Sequence, residues 1–309
     1  MAKRRRSDDG GQPHRRTEKR RRLHVLTHDW DGAFSIFVSV GTKIFNFYLS
    51  NGRGEANIVF DTKTLGVTAA PPFRSHKRCS EFWSVGHTVY TLDCYKDPGN
   101  PDGRFEKLHG REPRLGHGAW QWEAPLPSPL FNLAHIESHA VHPDGNTVFM
   151  SIYRDGTFSF DGERRKWARH GSWHLPFLKK AYFVAELDGW IGLSSHQMGR
   201  WSHAGTTPGC AEPACMDGRD MLYRRDGKRH LDSNLTYMGN GEFCIQETLT
   251  REGDDFASTF SQMMLMLLRL VTFRVEYSAD GELCTVKRRE KIFKLTRKTA
   301  IHAPSAFWI

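Results

Sequence analysis

Histidine and cysteine are the side chains best suited to holding a metal, and His203, Cys210 and Cys215, with His196 upstream, come nearest to such a set. Zinc sites built within one stretch of chain use short, regular ligand spacings, and this spacing matches none of the common templates. These residues are therefore expected to occupy an irregular loop, with no metal and no cofactor. His135, His139 and His142 form a second cluster. Strand alternation would place His135 and His139 on one face. His142 opens the turn Pro143-Asp144-Gly145, so structural or surface roles suit this cluster better than ligation.

Nucleophile and phosphate motifs are missing: there is no GxSxG elbow, no HExxH and no GxxxxGK[ST] loop. Asp61, Asp161 and Asp188 recur at turn or repeat-equivalent positions. A catalytic carboxylate is needed once, whereas a turn-forming one is needed in every unit, so these are read as turn residues. Trp120 and Trp122 alternate onto one face of a strand in Trp120-Gln-Trp-Glu-Ala-Pro-Leu-Pro127, and Trp167 and Trp173 flank Gly171. Packing between repeats explains all four, because aromatics dominate cores. A partner-binding rim at Trp120 and Trp122 is the functional alternative.

The elements that must position these residues are strands. Asp-Gly or Asn-Gly occurs eleven times after residue 30, and both residues tolerate the positive φ of tight hairpin turns. Between these turns lie short β-branched and aromatic runs: Phe34–Phe37, Lys43–Tyr48, Thr88–Leu92, Thr147–Ile152 and Thr157–Phe160. Helical periodicity is scarce. Phe256–Leu270 fits a short helix or a buried strand about equally, and strand is favoured. The runs repeat: Ser39-Val-Gly-Thr-Lys-Ile-Phe45 matches Ser84-Val-Gly-His-Thr-Val-Tyr90 at a spacing of 45, and Gly145-Asn-Thr-Val-Phe149 is a third copy. Weaker copies begin at Gly189 and Gly241. Phe60-Asp61 and Phe160-Asp161 follow at similar offsets. A strand, a hairpin, a strand ending Phe-Asp, then a strand ending in Trp or Pro-Pro is the layout of a kelch-like β-propeller blade of about 40–50 residues, giving roughly six blades, within five to seven. The fold class is all-β.

Charge divides the chain in two. Residues 3–22 hold ten basic and three acidic side chains, whereas the remainder is nearly balanced at +2. Residues 1–22 have almost no apolar side chain and are expected to be a disordered basic tail, with a propeller domain over 23–309. The body carries no charge suited to a nucleic-acid groove, so nucleic acid is expected only through the tail. Arg5 and Arg6, then Lys19, Arg20, Arg21 and Arg22 after a spacer, read as a two-part nuclear-import signal for an acidic receptor groove. The basic N-terminus has no apolar segment of the secretory type, so the six cysteines are expected to be reduced thiols in the nucleus or cytoplasm. The longest apolar run, Met263–Leu268, is far below the ~20 residues of a membrane span.

His24-Val-Leu-Thr-His-Asp-Trp30, His139-Ala-Val-His-Pro-Asp-Gly145, Thr157-Phe-Ser-Phe-Asp161 with Trp167 and His170-Gly171, Glu186-Leu-Asp-Gly-Trp-Ile-Gly-Leu193 and the ending Ala306-Phe-Trp-Ile309 resemble a plant family expanded in grasses, the uncharacterised group called domain of unknown function 1668. The resemblance spans nearly the whole body and the basic leader. It implies a fold and a plant origin, and brings no catalytic residues. Two departures stand out: the segment between Phe37 and Gly41 looks short, which would delete a strand, and Cys210–Arg229 looks irregular.

Repeats without a catalytic signature point to a non-catalytic scaffold that binds a protein partner through loops at one end of a central channel. A propeller enzyme using that channel and a nuclear nucleic-acid-associated protein are the alternatives. Apolar Phe307 and Trp308 at the last positions imply that the C-terminus packs, and that the ring closes by pairing Leu23–Leu26 with 305–309. Replacing Lys19, Arg20, Arg21 and Arg22 with Ala is expected to shift a large fluorescent fusion out of the nucleus. An unchanged nuclear fraction by imaging would rule out the import signal.

Overall fold

The computed structural model describes residues 21–26, 34–49, 56–75, 77, 80–93, 105–110, 120–123, 125–131, 135–205, 212–223, 229–250, 266–295 and 305–309. The described chain is strand and turn, with one short 3-10 turn at Ala185–Leu187. The strands run β1 (Leu23–Leu26), β2 (Phe34–Val40), β3 (Lys43–Leu49), β4 (Ile58–Asp61), β5 (Gly66–Ala69), β6 (Ser80–Val85), β7 (Thr88–Asp93), β8 (Phe105–His109), β9 (Gln121–Glu123), β10 (Ile136–Val141) and β11 (Thr147–Ile152). They continue through β12 (Gly156–Asp161), β13 (Lys166–Gly171), β14 (Phe177–Val184), β15 (Gly189–Ser194), β16 (Trp201–Gly205), β17 (Cys215–Asp217), β18 (His230–Gly239), β19 (Glu242–Leu249), β20 (Leu267–Tyr277), β21 (Leu283–Lys294) and β22 (Ser305–Trp308).

Consecutive strands pair antiparallel into four-stranded meanders: β2–β5, β6–β9, β10–β13, β14–β17 and β18–β21. The hairpins follow from the turn residues. Asn240 and Gly241 both have positive φ, at 52° and 70°, as a two-residue primed turn requires. Asp61 and Asp161 are the turn residues expected of them: Asp61 Oδ1 accepts the Lys63 N–H at 2.9 Å, and Asp161 Oδ1 accepts the Glu163 and Arg164 N–H groups at 3.0 and 2.9 Å.

The meanders pack face to face in sequence order. One apolar cluster joins Phe45, Phe47 and Val59 of the first to Phe82, Val89 and Leu108 of the second. The next joins Trp83, Tyr90 and Phe105 of the second to Met150, Phe158 and Phe160 of the third. Alternation on β7 explains this: Val89 faces one neighbour while Tyr90 and Leu92 face the other. Strands buried on both faces read as continuous apolar runs rather than alternating ones. A third cluster, with Val184, Ile191, Trp201, Phe243 and Phe273, joins the fourth and fifth meanders. Between the third and fourth the joint is different. β10 and β14, the first strands of their meanders, pair in parallel, making one eight-stranded sheet. Radially stacked meanders of this kind form a β-propeller-like fold.

The two ends meet. β1 pairs antiparallel with β22, Leu23 opposite Trp308 and Leu26 opposite Ser305. The pairing reaches Arg22, whose N–H donates to Ile309 O at 2.7 Å. Ala306 is buried, and Phe307 and Trp308 are half-buried. β22 is anchored to the fifth meander by the Thr236 hydroxyl, which donates to Ala306 O at 3.0 Å.

One sequence expectation fails here. The stretch between Phe37 and Gly41 deletes no strand, because β2 runs through Val40 into the Gly41 turn and the first meander is complete. The ambiguous stretch 256–270 is strand from Leu267 onward, and 256–265 lie outside the described residues.

Deleting residues 305–309 removes the closing pair and two half-buried aromatics. The truncated protein is expected to lose about 3 kcal/mol of stability, equivalent to burying one large apolar side chain. An unchanged melting temperature by calorimetry would show that the closure contributes nothing.

Candidate functional site

Among the described residues, the first strands of the five meanders, together with β22, line a cavity of about 390 Å³ near the centre of the ring. Its walls are unusually rich in groups that a protein interior normally pairs. β6 contributes Glu81 and Trp83, β10 contributes Ser138 and His139, β14 contributes Lys179, Lys180 and Tyr182, and β18 contributes Asn234.

A backbone irregularity sets the lysines. Along β14 the chain advances from Leu178 to Tyr182 while its partner β15 moves only from Leu193 to Ile191. The extra residues form a bulge, and Lys179 takes a positive φ of 59°. The displaced residues pair with β10 instead, Ser138 opposite Lys179 and His139 opposite Lys180. The two lysines then part company. Lys179 Nζ donates to Asp232 Oδ1 at 2.6 Å, Asn234 Oδ1 at 3.0 Å and Ser233 O at 3.1 Å. Lys180 Nζ lies 4.7 Å from the Tyr182 ring centroid and has no ion pair among the described residues.

Burial holds the Lys180 amine down, to about 8. His139 beside it is pushed to about 3, first by burial and then by the Lys180 charge, so it is a neutral imidazole. Glu81 is raised by burial, against the pull of Lys179 and His135. Ser138 Oγ, His139 Nε2 and Trp83 Nε1 are buried without a hydrogen-bond partner among the described residues. Tyr182, by contrast, donates its hydroxyl to Leu235 O at 3.0 Å.

The residues singled out in the sequence fall elsewhere or fall apart. Trp122 is only 2% exposed, and its Nε1–H donates to Pro71 O at 3.1 Å. Trp120 is half-buried with its ring edge-on to Phe45 at 4.8 Å. Both lie on one face, as alternation requires, but that face is the junction between the first two meanders, so Trp122 is a packing residue and not a rim anchor. His135 and His139 do not share a face. The β10 register shifts between Ile136 and Ser138, which leaves His135 exposed, 5.5 Å from the Tyr153 ring, while His139 turns to Trp83.

His203 Nε2 is 3.1 Å from Leu187 O, Cys215 is exposed opposite Ala204, and Cys210 lies outside the described residues, as do Cys79 and Cys94. Among the described residues no three His, Cys, Asp or Glu side chains are grouped to hold a metal. Arg5, Arg6, Lys19 and Arg20 also lie outside them, whereas Arg21 and Arg22 are exposed. No helix among the described residues is long and apolar enough to cross a membrane. Ser159 Oγ and His170 Nε2 are 2.8 Å apart, but they sit on β12 and β13, away from the cavity, and His170 Nδ1 has no partner among the described residues.

Sequence reasoning missed Lys179 and Lys180. The available signal was two adjacent lysines inside the aromatic strand Phe177-Leu-Lys-Lys-Ala-Tyr-Phe183, since a charge within a buried strand demands a reason.

The family described as Protein of unknown function (DUF1668) matches residues 4–293. No curated protein matches the chain. A solved structure similar in fold is that of a structural genomics protein of unknown function from Bacteroides thetaiotaomicron VPI-5482, at 10% identity and a TM-score of 0.45. The match covers 86% of this chain and 64% of that one, so the chain spans less than two thirds of that protein's length.

A half-buried amine with no ion pair among the described residues costs stability. Its folded value of about 8 lies below the ordinary lysine value of 10.5, so the unfolded chain binds more protons between the two, and stability rises with pH across that window. Of its charged and titratable neighbours, His139 is neutral, burial raises Glu81, and Lys179 is paired with Asp232. Lys180→Met is therefore expected to raise the melting temperature at about pH 7, with the gain shrinking as pH climbs through this window. A lower melting temperature for the variant at neutral pH would contradict a partnerless Lys180.

Proposed function

Starting from the fact that the chain belongs to the DUF1668 family of proteins of unknown function, we propose that it is a non-catalytic binding module that seats a protein partner over the mouth of its central channel. The observation that carries this reading is the convergence of all five first strands and β22 on one cavity. Sites assembled from several separate elements of a rigid frame are typical of recognition surfaces. The polar groups on the walls favour binding over turnover. Lys179, Thr236 and Tyr182 are held by fixed hydrogen bonds, and the neutral, buried His139 is a poor proton acceptor near neutral pH. The basic cluster of Arg5, Arg6, Lys19, Arg20, Arg21 and Arg22 is proposed to serve nuclear import, separately from the channel. Exposed Arg21 and Arg22 directly adjoin the closing strand pair.

The reading is tested by affinity capture with nuclease present, comparing the full chain, a chain lacking residues 1–20, and the full chain carrying Lys179→Glu with Lys180→Glu. A protein partner that survives nuclease and tail removal but is lost with the channel variant is the expected result. Partners that depend on the tail or on nucleic acid alone would overturn it.

A further inference from the structure

We infer that the channel binds a small organic acid, with its carboxylate at Lys180 Nζ and a flat apolar body against the aromatic walls. This deepens the reading of the channel as the binding site and rests on it. Lys179 is already paired with Asp232 and tethered to Asn234, and burial raises Glu81 toward its neutral form. Among the described residues Lys180 has no ion pair; the Tyr182 ring lies beside it, and His139 is opposite it on β10. An imidazole held neutral at His139 supplies no second positive charge. One cation matches a single carboxylate better than a phosphate, whose recognition favours several donors or an arginine fork.

Beside polar groups such as Asn234, Thr236 and Gln246, the cavity wall carries a set of aromatic rings. Phe37, Trp83, Tyr182, Tyr237 and Phe307 all line it, one from each of five different strands. A space of about 390 Å³ is at the lower end of small-molecule sites, so the ligand is about the size of a single ring with a short acidic arm. The bulge that turns Lys180 away from β15 is what delivers the charge here. Strand irregularities that re-aim a side chain are common next to binding sites. A cation placed at a cost to stability, in a cavity with matching walls, is the arrangement expected where binding a ligand, not folding, keeps the residue.

The test uses the full chain and two probes of one shape, phenylacetate and its neutral isostere phenylacetamide, titrated calorimetrically. Two variants are added, Lys180→Met and Ser84→Trp, the latter placing a bulky ring on the cavity wall. Circular dichroism checks that both variants are folded. The expected result is that phenylacetate binds more tightly than phenylacetamide, that Lys180→Met weakens phenylacetate by about tenfold while leaving phenylacetamide unchanged, and that Ser84→Trp abolishes both. If the two probes bind equally and Ser84→Trp abolishes both, the channel is a binding site but the carboxylate assignment is wrong. If neither probe binds, or Ser84→Trp has no effect on binding, the small-acid assignment is wrong, whereas the channel reading falls only if the capture experiment also shows no partner lost with the channel variant.

Discussion

The joints between consecutive meanders govern everything built on this fold, and each of the four carries a tryptophan whose indole N–H crosses the joint. Trp122 of the second meander donates to Pro71 O in the linker leaving the first, at 3.1 Å. Trp167 of the third repeats the arrangement on Pro127 O after the second, at 2.9 Å. Trp190 ties β15 to Val141 O at the end of β10, at 2.8 Å, and Trp201 ties β16 to Thr285 Oγ1 on β21, at 2.9 Å. A large apolar ring fills the space between two sheets while its one donor is satisfied on the far side, so the contact has both bulk and direction. A proline carbonyl suits the acceptor role, because proline has no N–H of its own to pair and favours extended linkers. Gly218 shows how tight such a joint is, since a Cβ there would meet the Trp201 ring at 2.3 Å.

With the joints fixed, the first strand of every meander is held around the axis and the cavity has a defined wall. Its chemistry comes from the one joint that differs. Parallel pairing of β10 with β14 brings His139 and Lys180 together from separate repeats. Stripping a cation of water and giving it no anion is unfavourable. The packed joints supply stability that offsets this cost.

Turns and strands were legible because their signals are local. Asn240-Gly241 and the aromatic run Lys43–Tyr48 each contain what they need within a few residues. The pairing of β1 with β22 was legible too, since Phe307 and Trp308 would otherwise leave apolar surface at a chain end. The channel was hidden because its parts meet across repeats. The alternation that paired His135 with His139 breaks at a one-residue register shift, which composition does not reveal. Trp120 and Trp122 could be read as core or as rim, and only the second meander's packing against Phe45, Phe47 and Phe73 settles them as core. Lys179 and Lys180 are adjacent in sequence yet face different partners, a separation that arises from a bulge and not from residue type.

The most direct measurement is the titration of the Lys180 amine itself, followed by NMR in protein carrying labelled lysine and assigned with Lys180→Met. The ring as described delivers this amine into the channel without a counter-ion, and a midpoint near 8 is the value expected of it. A midpoint at the ordinary lysine value would mean that Lys180 is solvated or paired, and the account of a channel built around an unpaired cation would be wrong.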